Sequence, residues 1–143
     1  MLEDDVVILI AEDDDGHAEL IREQFTEAGV NNKIIRFCNG LELINFITDA
    51  KSRPPEGVFY LILLDIRMPV VDGIEVLKRI KSDNDLKNIP VIMLTTTDDP
   101  NEIEECYKIG CNCYITKPVD FIKFSETIKR LGLFIKVVKI AKV

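Results

Sequence analysis

The chain has 143 residues, 47% hydrophobic and 30% charged, with a formal net charge of −7. That length fits one ordinary domain, the balance is that of a globular chain and not a disordered one, and no apolar run approaches the ~20 residues of a membrane span. An acidic whole argues against direct nucleic-acid binding, and the opening MLEDDVVILI is acidic where a signal peptide would be basic, so the expected location is the cytoplasm.

Charge is unevenly spread. Acids crowd residues 1–30, where Arg22 is the one Lys or Arg, whereas 129–143 carry Lys129, Arg130, Lys136, Lys139 and Lys142 without an acid. Cys38, Cys106, Cys111 and Cys113 form no C-x-x-C pair, and Cys111-Asn-Cys113 lies far from the single His17. They read as reduced, mostly buried thiols.

In chain order, VVILIA (6–11) is a continuous β-branched run, as in a strand covered on both faces. Asp14 or Asp15 can cap the helix that follows, whose stripe is Ala18, Ile21, Phe25 and Ala28, and Gly29 stops it. KIIRFC (33–38) is a second, more polar strand, and GLELINFITDA (40–50) a helix. KSRPPEG (51–57) is a loop, and VFYLILLD (58–65) is the third and most apolar strand. GIEVLKRIKSD (73–83) reads as a helix, VIMLT (91–95) as a strand, NEIEECYKIG (101–110) as a helix, NCYIT (112–116) as a strand and FIKFSETIKRLG (121–132) as the last helix. Gly132 would end it, with Val137, Val138, Ile140 and Val143 favouring an extended tail. Five strands alternating with five helices imply an α/β fold: a single flavodoxin-like (βα)5 domain, parallel sheet order 2-1-3-4-5, helices on both faces and the polar second strand at an edge.

In such a sheet, ligands bind beyond the carboxyl ends of the strands. Those ends carry Glu12-Asp13, Asp65, Thr95-Thr96-Thr97 and Thr116-Lys117-Pro118. With strands one and three adjacent, Glu12, Asp13 and Asp65 share one shallow pocket. Two like charges ~4 Å apart repel by roughly 4 kcal/mol at an effective dielectric near 20, so the trio must take up a proton or bind a cation. An all-oxygen site suits Mg²⁺ or Mn²⁺ better than zinc. Lys117 and the Thr95 hydroxyl add donors opposite. Cation, donors and one exposed carboxylate make a device that receives a phosphoryl group on Asp65. Taken singly, each residue has a plainer explanation: Asp14, Asp15 and Asp72 can be helix caps, and Lys117 a surface lysine.

With Glu12-Asp13, Asp65, Met68-Pro69, Asp72-Gly73, Thr95, Tyr114 and Lys117-Pro118 in this order, the chain resembles the receiver domain of bacterial two-component response regulators over roughly residues 6–131. The resemblance implies Asp65 as phosphoacceptor. It implies Glu12, Asp13, Asp65 and the backbone carbonyl of Arg67 around Mg²⁺, Asp13 directly and Glu12 through water. Lys117 would pair with the phosphoryl oxygens, its bond to Pro118 being usually cis in the family, and Thr95 and Tyr114 would be the switch pair. Arg67 and Thr97 would tune the lifetime of the phosphorylated state. LTTTDDPNEIEECYKIG and YITKPVDF, with Glu12 for a first aspartate, further resemble the single-domain regulators that partner phytochrome-type histidine kinases. The implied organisation is a receiver domain over 1–131, a C-terminal extension over 132–143 and no output domain. The implied partners are a histidine kinase, a downstream protein or phosphotransfer partner and, through the tail, a second copy.

Rival functions fit less well. A Mg²⁺-dependent phosphatase of the haloacid-dehalogenase type needs a second acid two residues after its nucleophile, where this chain has Arg67. A flavodoxin needs a phosphate loop after the first strand, and Glu12-Asp13-Asp14-Asp15 would repel phosphate there. A receiver that only docks, without phosphorylation, would not need every chemical residue in place. His17 is expected as an exposed residue of the first helix, and Tyr60 and Tyr107 as packing residues.

Overall fold

The structure, a computed structural model, describes residues 6–49, 51, 54 and 56–137. Strands β1 (Val6–Ala11), β2 (Ile34–Phe37), β3 (Phe59–Leu64), β4 (Val91–Thr95) and β5 (Cys113–Thr116) alternate with helices α1 (Asp15–Glu27), α2 (Gly40–Thr48), α3 (Gly73–Ser82), α4 (Pro100–Ile109) and α5 (Phe121–Val137). The strands form one parallel sheet in the order β2-β1-β3-β4-β5, with the half-buried IIRF strand at an edge as expected.

Alternation along the strands divides the core. Leu9, Ala11, Ile62, Leu64 and Met93 pack with α2, α3 and α4 through Leu43, Val76, Leu77, Ile80 and Cys106. Their neighbours Ile8, Ile10, Leu61, Leu63, Ile92 and Leu94 pack with α1 and α5 through Ile21, Phe25, Phe124, Ile128 and Ile135. Burial on both faces is what the unbroken apolar runs require.

The helix starts follow capping chemistry. Asp14 accepts from His17 N at 3.0 Å, Asp72 from Glu75 N at 2.9 Å, and Asp99 from Asn101 N at 2.9 Å with Pro100 in the first turn. The far end of the chain corrects an expectation. Helix α5 runs through Gly132 to Val137 and does not stop at 132. A Cβ at 132 would lie 3.0 Å from Ala28 Cβ and 3.2 Å from Phe25 Cδ1, so glycine serves the close approach of α5 to α1 rather than a helix end. The other expected tail residues, Val138, Lys139, Ile140, Lys142 and Val143, lie outside the described residues.

Cys106 and Cys111 are buried, and burial pushes both thiols up to about 11; Cys113 is half-buried, but Cys38 is exposed. Tyr60 packs on Phe46 as expected, with ring centroids 6.0 Å apart. Among the described residues no helix is long and apolar enough to cross a membrane.

Candidate functional site

Register brings the acids together. Ala11 pairs with Leu64, and Asp65 N donates to the Ala11 carbonyl at 3.1 Å, so the residues following β1 and β3 leave the sheet at one level. Glu12 is 2% exposed, Asp65 is 7% exposed and Asp13 is exposed; each offers a carboxylate oxygen, all within 4.8 Å of one another. The β1 end is further held by Arg36 of β2, whose Nε and Nη2 donate to the Glu12 carbonyl at 3.0 and 2.8 Å while Nη1 meets Asp15 Oδ1 at 2.6 Å. Gly73 lets α3 start against the Asp65 backbone: a Cβ there would fall 2.0 Å from the Asp65 carbonyl oxygen.

Lys117 enters from β5. Its backbone N donates to Thr95 O, and its ammonium, 1% exposed, donates to Glu12 Oε1 in a short contact and to Asp65 Oδ2 at 3.2 Å. Burying acids with one lysine leaves the pocket short of positive charge. Burial raises the Glu12 carboxyl to about 7, with Lys117 opposing and Asp65 reinforcing the rise. Among the described residues, two buried side-chain polar atoms have no hydrogen-bond partner: Asp65 Oδ1 and Thr95 Oγ1, at the ends of the neighbouring strands β3 and β4. Unpartnered buried polar atoms are rare enough to require a reason. Three oxygen donors of hard character, one with an orphaned atom, fit a divalent cation of the Mg²⁺ or Mn²⁺ kind.

Beyond β4, Tyr114 is half-buried and its hydroxyl donates to the Thr97 carbonyl at 2.7 Å. Burial pushes that phenol up to about 12, which keeps it a donor. Thr97 Oγ1 donates to Glu102 Oε2 at 2.6 Å, and Arg67 Nη2 meets Glu102 Oε1 at 3.2 Å. Glu102 of α4 therefore joins the β3–α3 and β4–α4 loops. The loop after Asp65 also holds Val70 at φ 71°, a left-handed conformation that a β-branched residue adopts at a cost.

Every expected site residue lies at this end of the sheet: Glu12, Asp13 and Asp65 together, Lys117 on Glu12 and Asp65, Thr95 at the end of β4, Arg67 and Tyr114 on its flank. Three expectations are corrected. His17 is only partly exposed: its Nδ1 lies 3.2 Å from Lys117 Nζ and its ring stands edge-on to Phe124. Tyr107 is half-exposed and its hydroxyl accepts from Tyr114 N at 3.0 Å, so it does more than pack. The Lys117–Pro118 bond is trans, because no described peptide bond is cis. Arg36 and Glu102 carried no motif signal: Arg36 reaches Glu12 and Asp15, 24 and 21 residues away, and Glu102 reaches Arg67, 35 residues away.

A family model described as the response regulator receiver domain matches residues 8–129. The polar-differentiation response regulator DivK of Brucella anthropi is 37% identical over 122 residues, covering 85% of this chain and 92% of its own. Response regulator Rcp1 of Synechocystis sp. is 35% identical over 111 residues, 78% of this chain and 76% of its own. Among solved structures, a response regulator receiver domain from Rhodospirillum rubrum aligns with a TM-score of 0.87 at 42% identity, over 94% of this chain and 96% of that one. The Mn²⁺-bound form of Rcp1 aligns with a TM-score of 0.84 at 29% identity, over 95% and 99%. The phosphorylated cyanobacterial phytochrome response regulator RcpA aligns with a TM-score of 0.78 at 32% identity, over 90% and 91%. With its sheet order, its acidic pocket and these relatives agreeing, the chain belongs to the response regulator receiver family of two-component signalling.

Proposed function

We propose that the protein accepts a phosphoryl group from a histidine kinase onto Asp65, in the cytoplasm, and signals by a phosphorylation-dependent contact with another protein. The observation that carries this reading is the pair of orphaned buried atoms, Asp65 Oδ1 and Thr95 Oγ1, beside a buried lysine already aimed at Asp65. An Asp65 carboxylate oxygen attacks phosphorus, the P–N bond of the kinase phosphohistidine breaks, and its imidazole leaves with the electron pair. Hydrolysis of the acyl phosphate by water returns the carboxylate and inorganic phosphate.

A divalent cation, Mg²⁺ in this reading, held by Glu12, Asp13, Asp65 and the Arg67 carbonyl, supplies the positive charge that the pocket lacks. Lys117 pairs with a phosphoryl oxygen, and the Thr95 hydroxyl gains the acceptor it now lacks. Its movement pulls on the β4–α4 loop and, through Thr97 O, on Tyr114. The face of α4, β5 and α5 then changes its partner preference by a population shift. The RcpA resemblance supports a phytochrome-type kinase as donor. We read 1–131 as the receiver domain and 132–143 as an extension that packs on it or on a second copy, for which Leu133, Phe134 and Val137 offer exposed apolar surface.

The test is intact mass after incubation with a small phosphodonor and Mg²⁺, with Asp65→Asn and a metal-free sample alongside. One added phosphoryl group, absent from both controls, is the expected result. If no adduct forms and the stable mimic fluoroberyllate also fails to bind, the docking-only function replaces this one.

A further inference from the structure

Lys117 has three ammonium hydrogens and three acceptors. Two are the carboxylates of Glu12 and Asp65; the third is Nδ1 of His17, at 3.2 Å. Facing an ammonium, Nδ1 accepts through its lone pair in the tautomer that carries the ring proton on Nε2, and the same nitrogen lies 3.7 Å from Glu12 Oε1, beyond hydrogen-bond reach. The ring is held from two sides. Asp14 caps α1 through the His17 backbone N at 3.0 Å, and the imidazole stands at 88° to the Phe124 ring with centroids 5.0 Å apart. Lys117 Nζ itself lies 6.0 Å from the Phe124 centroid. His17 and Phe124 thus form the wall of the pocket on the α1 and α5 side.

The three acceptors have different fates. A cation in the pocket would engage Glu12 and Asp65, and a phosphoryl group would be bonded to Asp65, so both carboxylates would be drawn away from Lys117. His17 is the acceptor left over, because a neutral imidazole competes poorly for a hard cation that prefers oxygen. We propose that His17 is a positioning residue for Lys117, holding its ammonium over Asp65 once the carboxylates are occupied. This rests on the phosphoacceptor reading of Asp65 and extends it to a residue that touches neither the cation nor Asp65.

Two variants separate the acceptor from the ring. His17→Phe keeps an edge against Phe124 and loses Nδ1; His17→Gln restores a neutral acceptor. Should the phenylalanine variant fail to fold, His17→Leu takes its place. In His17→Phe the ¹⁵Nζ signal of Lys117 should shift and its hydrogens exchange faster in the unloaded protein. Fluoroberyllate binding with Mg²⁺ should weaken about tenfold, the scale of one hydrogen bond to a charged group. Mn²⁺ affinity, read by water relaxation, should change less than about twofold, since His17 holds no metal in this scheme. His17→Gln should recover most of the fluoroberyllate affinity. An unchanged Lys117 signal in His17→Phe overturns the proposal whatever becomes of Asp65. A glutamine variant as weak as the phenylalanine one, or Mn²⁺ affinity falling in step, overturns it too. Failure of the unsubstituted protein to bind fluoroberyllate overturns instead the phosphoacceptor reading, and the Lys117 signal then judges the contact alone.

Discussion

The pocket at the ends of β1, β3 and β5 and the flank beyond β4 are built in opposite ways. In the pocket Glu12, Asp65 and Lys117 are buried, Lys117 serves both carboxylates, and the start of α3 lies hard against the Asp65 backbone at Gly73. On the flank, Arg67 is 67% exposed, and Glu102, Thr97 and Tyr114 form a chain of hydrogen bonds in which water can replace partners. A buried charged cluster is costly to disturb, whereas exposed pairs contribute at most about 1 kcal/mol each. Chemistry that needs fixed atoms and a readout that needs motion therefore sit on parts of the fold held with different firmness.

The comparison breaks most visibly at Gly73. Its replacement by alanine places a Cβ 2.0 Å from the Asp65 carbonyl oxygen and 2.8 Å from the Asp65 carbonyl carbon. Neither the β3 end nor the start of α3 can retreat, so Gly73→Ala should cost about 4 kcal/mol in urea unfolding, beyond ordinary overpacking. Gly57→Ala is the counterpart, at φ 87° with no atom within 4 Å of the new Cβ, and should cost about 1 kcal/mol. Equal losses would mean that the pocket backbone is not rigid.

Next in size is the pH response of Glu12. Its carboxyl titrates near 4.5 when unfolded and about 7 when folded, because burial outweighs Lys117. Between those values the folded state holds the extra proton, so stability falls as pH rises from about 4.5 to about 7 and is flat above. The fall should be roughly 3 kcal/mol relative to Glu12→Gln, measured by urea unfolding in EDTA. Millimolar Mg²⁺ should flatten it by favouring the charged carboxylates. A Glu12→Gln variant with the same pH slope as the parent would assign the effect elsewhere.

These contrasts also explain what the sequence shows on its face. The strands are legible because burial on both sides forces apolar runs, and Asp65 or Lys117 is conspicuous for breaking such a run or following one. Sheet order brings their side chains together without further information. Contacts that need the third dimension are not legible. His17 reaches Lys117 across 100 residues, and its helix position looks exposed until Phe124 is placed beside it. Gly132 looks like a helix end because glycine usually weakens a helix; only the approach of α1 shows why α5 continues through it. Arg67 was expected as a backbone ligand, while its side chain pairs with Glu102, whose surroundings no local pattern announces.

A smaller effect, of opposite sign, is expected in the loop between the two regions. Val70 is 74% exposed at φ 71°, so nothing packs its side chain in exchange for the left-handed backbone. Val70→Asn should stabilise the protein by about 1 kcal/mol, because asparagine tolerates that region. A lower urea midpoint in the variant would show that the exposed valine makes a contact of value.

The smallest stability change is expected at Glu102, where the flank should prove the more yielding region. Glu102→Ala removes the acceptor of Thr97 Oγ1 and the partner of Arg67 together. All three groups can turn to water, so the loss should stay below about 1 kcal/mol. The structural response should be larger than the energetic one. Thr97 loses its tie to α4 while its carbonyl still accepts from Tyr114, so that ring gains freedom, and its NMR signals should broaden in the variant and not in Tyr60. Fluoroberyllate should sharpen them again if Thr95 draws the loop inward. A loss above about 2 kcal/mol, or a Tyr114 ring as well ordered as before, would place Glu102 with the rigid pocket and leave the motion without a hinge on this side.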